Sequence, residues 1–210
     1  MKQYYKLVNT YVLILAATGI LFGAEYANAE QKPEIEITKS GNVTNYRIKG
    51  SLESNKPIKC IPFQTVSNER TPPDIYAGVS ACMNKAKYDK AAKLMLMARL
   101  YGVYDAKRVA DKTAGQGIRV LDIRTLSSHP NEQRVLLSNA MKELTADRKS
   151  FGSFCKSLKN KGHPDYHPRY MILHGIKAFN GPIQGDGLVN GFENKKEWGN
   201  VIAQSCKTKG

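Results

Sequence analysis

Four cysteines constrain the fold of this chain most strongly, because each disulfide would fix two distant segments against each other. No two of them have the C-x-x-C spacing of a thiol oxidoreductase or a zinc site. An even number of cysteines in an exported chain predicts disulfides. Of the three pairings that four cysteines allow, we favour Cys60–Cys82, which closes a short loop, and Cys155–Cys206, which ties a C-terminal helix to the body.

The N-terminus predicts export. Two lysines precede an uncharged apolar run over residues 11–22, and Ala27-Asn28-Ala29 has the small-x-small pattern at which signal peptidase cuts. The run is shorter than the roughly 20 residues that a membrane-spanning helix needs. We therefore predict a signal peptide over residues 1–29, a periplasmic or secreted location, and no integral membrane segment after cleavage.

The chain carries 32 Lys and Arg residues against 18 Asp and Glu residues, a formal net charge of +14. Such a charge favours an acidic partner: another protein of the envelope, an anionic lipid or a polyanionic polymer. Nucleic acid is not expected as a partner of an exported protein. Lysines spread over the whole surface would merely keep the protein soluble, so charge alone selects no partner.

Residues 30–72 differ from the rest of the chain. Alternating runs at residues 35–38 and 43–48 flank Gly41-Asn42 and predict a peripheral β-hairpin. Four prolines then keep residues 57–73 largely irregular.

Residues 73–210 form a second region with apolar stripes at helical spacing. They predict about seven helices with short connections, including one that ends at Gly102 and a long one over residues 104–126. The helix near residues 131–144 is expected to bury Val135 and Leu136. The predicted fold class is all-α, with layered antiparallel helical hairpins, a small N-terminal β-hairpin and two disulfides.

Three of the four histidines lie in residues 162–175. A metal or general acid–base site would use His163, Asp165, His167 and His174, and could serve a hydrolase acting on the cell wall or on lipid. The spacing matches no recognised zinc pattern, and His167 precedes the helix that contains His174. We favour a structural junction between loop and helix, and predict no metal, no cofactor and no catalytic residue.

Charged side chains of both signs follow one another along the predicted long helix, at Asp105, Arg108, Asp111, Arg119 and Asp122. Spacings of three residues allow ion pairs along one helix surface. A catalytic carboxylate pair is disfavoured, because a neighbouring arginine would keep both acids ionised. We predict a solvent-exposed row of salt bridges that is a candidate partner-binding face.

Two patterns carry a resemblance to known proteins. Tyr88-x-x-Ala91 before an Ala- and Leu-rich helix resembles half of a tetratricopeptide-type helix pair, without a second copy at a period of about 34 residues. The motif Tyr101-Gly102-x-Tyr104-Asp105-x-x-Arg108-Val109-x-Asp111, together with Tyr170-Met171-Ile172-x-His174-Gly175, resembles uncharacterised exported helical proteins of Gram-negative bacteria. Some of those proteins are similar to immunity proteins that neutralise toxins delivered by neighbouring cells. The resemblance spans residues 73–206 and implies a helical periplasmic binder.

The leading hypothesis is a periplasmic protein-binding or adaptor protein that is not an enzyme, with an immunity-type inhibitor of an envelope-targeting toxin as one version. The alternatives are a hydrolase that uses the His-rich segment 163–174 and a basic binder of anionic envelope polymers. The candidate binding residues, expected to be exposed, are Tyr104, Arg108, Asp111, Tyr166, His167 and Arg169.

Overall fold

A computed structural model describes residues 33–207 of the 210-residue chain. The predicted signal peptide lies outside the described residues. Within this range the chain is mostly helical, with one small antiparallel sheet. None of the helices between residues 33 and 207 is long and apolar enough to cross a lipid bilayer.

The elements follow one another in a simple order, strands first and helices afterwards. The strands are β1 (Ile35–Ser40) and β2 (Val43–Ile48). The helices are α1 (Pro72–Met83), α2 (Tyr88–Arg108), α3 (Gly117–Ser127), α4 (Asn131–Ala146), α5 (Arg148–Lys161), α6 (Arg169–Ile172), α7 (Lys177–Asn180) and α8 (Asn194–Ser205). The single helix predicted to contain His174 is instead two helices of four residues each, and His174 lies between them.

The predicted hairpin is confirmed. Its register runs from Ile35 opposite Ile48 to Ser40 opposite Val43, and the turn uses Gly41 at φ +56°, a conformation that glycine adopts without strain. Ile48 is the only residue of the two strands that is buried.

The irregular segment that follows the hairpin is attached to α1 by a buried carboxylate. Asp74, in the first turn of α1, accepts hydrogen bonds from Ser54 Oγ at 2.7 Å, from Lys56 N at 2.8 Å and from Thr71 N at 3.1 Å. Pro72 and Pro73 occupy the first two helical positions, where their missing N–H groups cost nothing.

Helix α2 lies at the centre of the packing and contacts α1, α3, α4 and α8. It buries residues on two faces. The prediction that Gly102 ends the helix is wrong, because α2 continues to Arg108. Gly102 instead allows close approach of α3, since a Cβ there would lie 1.9 Å from the Ile118 Cδ1 atom.

The predicted helix over residues 104–126 is also wrong. The chain is extended at Val109, which pairs with Leu188 in an isolated β-bridge, and helix resumes only at Gly117. The physical reason is local: the Asp111 side chain accepts a hydrogen bond from the Thr113 backbone amide and starts a separate short 3-10 turn. Such side chain–backbone bonds compete with a continuous helix.

Both favoured disulfides are confirmed. Cys60–Cys82 fastens the irregular segment to α1, and Cys155–Cys206 fastens α5 to the residue after α8. The described chain contains no free cysteine.

Candidate functional site

Asp105, in the last turn of α2, is completely buried and accepts hydrogen bonds from three side chains. Tyr170 Oη donates to its Oδ2 at 2.6 Å and Tyr166 Oη donates to the same atom at 2.8 Å. Arg108 Nε donates to Oδ1 at 2.8 Å, and Arg108 Nη2 lies 2.8 Å from that oxygen. A buried charge needs such partners, so this Asp105 network joins α2 to the loop before α6 and to α6 itself.

Aromatic rings enclose the arginine of the network. The Arg108 guanidinium carbon lies 5.0 Å from the ring centroids of both Tyr104 and Tyr166. Tyr104 also stacks on His163 at 6.2 Å and donates its hydroxyl to Asn194 Oδ1 at 2.7 Å. Cation–π contacts stabilise a desolvated guanidinium. The cluster is therefore a packed structural centre between α2, the His-rich loop and α8.

Burial sets the protonation behaviour of this cluster. It raises the pKa of Asp105, while Arg108 and the two tyrosine hydroxyls oppose that shift. Burial and the neighbouring Asp105 raise the pKa of both Tyr166 and Tyr170 well above the ordinary value. Burial also raises the pKa of Tyr104 to about 12. At neutral pH these hydroxyls stay protonated and act as hydrogen-bond donors rather than bases.

The expected exposure of the predicted binding residues is wrong for half of them. Tyr104, Arg108 and Asp111 are buried. The loop over residues 162–168 and α8 cover the end of α2, which carries Tyr104 and Arg108. Asp111 lies after α2 and is in contact with Gly175 and Lys177. Tyr166 is half-buried, and only His167 and Arg169 are exposed. The buried three cannot touch a partner in this fold.

Asp111 links the segment after α2 to the start of α7. Its Oδ1 accepts from Thr113 N at 3.0 Å and from Thr113 Oγ1 at 2.7 Å, and its Oδ2 accepts from Lys177 N at 2.8 Å. Gly175 lies so close that a Cβ there would be 2.3 Å from Oδ2. Burial would raise the pKa of Asp111, but the bonds from Thr113 and Lys177 outweigh it and hold the pKa below its ordinary value.

The predicted row of exposed salt bridges does not form. Asp105 and Arg108 pair in the interior. Asp122 instead accepts hydrogen bonds from Arg99 Nε at 3.1 Å and from the Tyr76 hydroxyl. Because the chain bends at residues 109–116, the five charged residues do not share one helix surface.

The three histidines of the His-rich segment each contact a different group, and Asp165 is exposed. His163 Nδ1 bonds the carbonyl oxygen of the next residue at 3.0 Å, and His167 Nε2 bonds the Asp186 carbonyl oxygen at 2.8 Å. His174 Nδ1 lies 3.3 Å from Ser51 Oγ, and burial, with a smaller effect of the Arg124 charge, lowers its pKa. Residues 33–207 contain no group of three His, Cys, Asp or Glu side chains that could hold a metal ion. This dispersal gives the hydrolase hypothesis no support.

Ser80, His129 and Gln133 form a chain of hydrogen bonds in the order that serine hydrolases use. His129 Nε2 lies 3.0 Å from Ser80 Oγ, and its Nδ1 lies 3.0 Å from Gln133 Oε1. The neutral Gln133 cannot stabilise an imidazolium ion as a carboxylate does. The backbone amides around Ser80 are used within α1, so they are not aimed at an oxyanion. We interpret the contact as a tie between α1 and the start of α4.

The clearest surface feature is the apolar face of the β1–β2 hairpin. Ile35, Ile37, Tyr46 and Ile48 share this face, because residues paired across two antiparallel strands lie on the same side. Ile48 packs against Leu173 and Ala178 in a small cluster of buried residues. Ile37 and Tyr46, which pair with each other, are 58% and 61% exposed. In the described chain each strand has one partner only, so each has an open edge.

The opposite face of the hairpin carries charges that neutralise each other. Arg47 forms ion pairs with Glu36 at 2.6 Å and with Glu53 at 3.0 Å, and Lys49 pairs with Glu34 at 2.9 Å. The hairpin thus presents one apolar face and one face whose charged side chains form ion pairs.

Comparison with known proteins found no significant match for this chain. The chain matches no protein-family model, and no curated protein or solved structure is significantly similar to it. The resemblance to exported helical proteins with immunity-like members stays a prediction. A function must be inferred from the contacts of the chain's own residues.

Proposed function

We propose that this chain is an exported protein-binding module whose β1–β2 hairpin binds an extended segment of an acidic partner protein. The observation that carries the proposal is the exposed apolar pair of Ile37 and Tyr46 on a sheet whose two edges are unpaired within residues 33–207. The leader-like N-terminus and the two disulfides support a periplasmic or secreted location.

Physical chemistry gives the hairpin a reason to bind. A two-stranded sheet is marginally stable by itself in water, and its open edges present unpaired N–H and C=O groups. A partner strand would satisfy one edge and cover the apolar face. The formal charge of +14 favours an acidic partner and accelerates its encounter. An inhibitor that occludes an envelope-targeting toxin is one form of such a module, because occlusion needs no catalytic residue.

Position-specific photo-crosslinking in cells that export the chain tests this proposal. A crosslinking amino acid replaces Tyr46, and the matched control carries it at Ile176, which is similarly exposed at 60% but lies outside the hairpin. We expect one discrete adduct with an acidic protein from position 46 and none from position 176. The adduct should disappear in Ile37→Thr, which keeps strand propensity but removes apolar area.

Three outcomes would contradict the proposal: no adduct from position 46, equal adducts from both positions, or an adduct of two copies of this chain. With the purified partner, Tyr46→Ala should weaken binding by about 2 kcal/mol, roughly thirtyfold in Kd, as expected for an aromatic anchor.

A second candidate function, binding of anionic envelope polymers, is favoured by α5. This helix contains five basic and no acidic residues. Lys156 and Lys159 are exposed, and neither has a carboxylate partner within residues 33–207. Unpaired like charges predict binding that weakens with salt. Lys156→Gln with Lys159→Gln should elute earlier from a dextran sulfate column in a salt gradient, and unchanged elution would rule this surface out.

A further inference from the structure

A groove of about 330 Å³ opens on the face of the molecule where α2, α3 and α4 meet. Its floor is apolar and is formed by Met95 of α2, Leu126 of α3, and Leu137 and Met141 of α4. Met95 and Leu137 belong to the core, whereas Leu126 and Met141 are half-buried and still meet solvent. Methionine side chains adapt to irregular apolar ligands, so this floor suits a flexible hydrocarbon chain.

Cationic side chains stand on both rims of the groove. Arg134 and Lys142 lie eight residues apart on α4, about 12 Å along the helix axis. Arg99 stands on the α2 side and is already engaged by Asp122 at 3.1 Å. Within residues 33–207, the Arg134 side chain donates to Asn131 Oδ1 at 3.3 Å, and neither Arg134 nor Lys142 has a carboxylate partner. The α4 rim therefore carries two uncompensated positive charges beside apolar surface.

We propose that this groove binds a single-chain fatty carboxylate, with its acyl chain on the apolar floor and its carboxylate at the α4 rim. Arg134 presents a planar fork of N–H donors that matches a carboxylate, and Lys142 adds positive charge. The cavity volume lies at the lower end of the range for small-molecule pockets, about 300 to 1,000 Å³.

Titration calorimetry with dodecanoate, at concentrations where it is monomeric, tests the proposal on the full-length exported protein. We expect one site, and at least about tenfold weaker binding in the double variant Arg134→Gln and Lys142→Gln, which loses a charge-assisted hydrogen bond. The matched control is Lys156→Gln with Lys159→Gln on α5, which removes the same charge from another surface. Its affinity should stay within about twofold of the unmodified protein. Met141→Asp should abolish binding by placing a charge on the floor.

The ligand series separates the alternatives. Dodecanol and acetate should bind at least about tenfold more weakly than dodecanoate, since dodecanol lacks the carboxylate and acetate lacks the acyl chain. Equal binding of dodecanol, equal losses in the α4 and α5 variants, or tighter binding of lysophosphatidylglycerol would overturn the proposal. Ile37→Thr should bind dodecanoate normally, so the result is independent of the hairpin. Melting temperatures of all variants verify that they are folded.

Discussion

Replacing Tyr170 with phenylalanine tests whether the Asp105 network stabilises the packing of α6 against α2. The change removes one hydroxyl that donates to a buried carboxylate at 2.6 Å and leaves the ring in place. A hydrogen bond to a charged group contributes about 1.5 to 3 kcal/mol. In a domain of this size we expect Tm to fall by about 3 to 12 °C, with a matching loss of unfolding free energy in urea.

Tyr101→Phe is the matched control. Tyr101 is buried in the same region, 5.6 Å from Trp198, but its hydroxyl has no hydrogen-bond partner within the described range. Removing a buried hydroxyl without a partner should leave stability unchanged or raise it by up to about 1 kcal/mol. Circular dichroism at 222 nm follows unfolding of both variants. Equal stability of Tyr170→Phe and Tyr101→Phe would refute the reasoning that this network stabilises the fold.

Three further predictions concern backbone packing, acid stability and covalent ties. Gly102→Ala should lower the unfolding free energy by about 1 to 3 kcal/mol through overpacking. Gly152→Ala, with open space around the new methyl group, should raise the unfolding free energy by up to about 1 kcal/mol. Equal effects of the two substitutions in urea unfolding would contradict this prediction. Because the pKa of Asp111 is lowered in the folded state, its contribution is present above the ordinary carboxyl pKa and is lost as pH falls through the lowered value. Asp111→Asn should therefore lose stability at pH 7 and show a flatter decline toward pH 3 in denaturant titrations; parallel pH curves would count against it. Replacing Cys155 and Cys206 with serine opens a loop of 51 residues. On the chain-entropy model the unfolding free energy should fall by about 4 kcal/mol. A reducing agent should cause no further loss through this bond, because the variant no longer contains it.

Periodicity and spacing predicted much of the fold. The alternating runs on either side of Gly41 placed the hairpin correctly, and the two cysteine pairs follow from loop length and helix position. The break after Arg108 could not be read from periodicity, because it depends on Asp111 bonding to the backbone of Thr113 rather than on a proline or glycine. In α4, Val135 and Leu136 are exposed although both were expected inside, since a short apolar run does not specify which stripe faces the core.

The exposure of the candidate binding residues was predicted less well, for a related reason. Sequence shows that Tyr104, Arg108 and Asp111 are polar, but burial depends on the loop and helix that cover them from 60 or more residues away. The apolar face of the hairpin could be predicted from the sequence, because strand register alone places Ile37 and Tyr46 on one side of the sheet. The functional prediction rested on polar residues, whereas the exposed pair on the hairpin face, Ile37 and Tyr46, carries large apolar side chains.

The two disulfides lie in separate stretches of the chain, and neither joins one stretch to the other. One bond closes residues 60–82 and the other closes residues 155–206, so no bond spans the stretch between residues 83 and 154. A single proteolytic cut at the exposed α4–α5 junction would release two fragments, each keeping its own crosslink. Their reassociation would then depend on side chains that meet across the cut, with Asp105 on one fragment and Tyr166 and Tyr170 on the other.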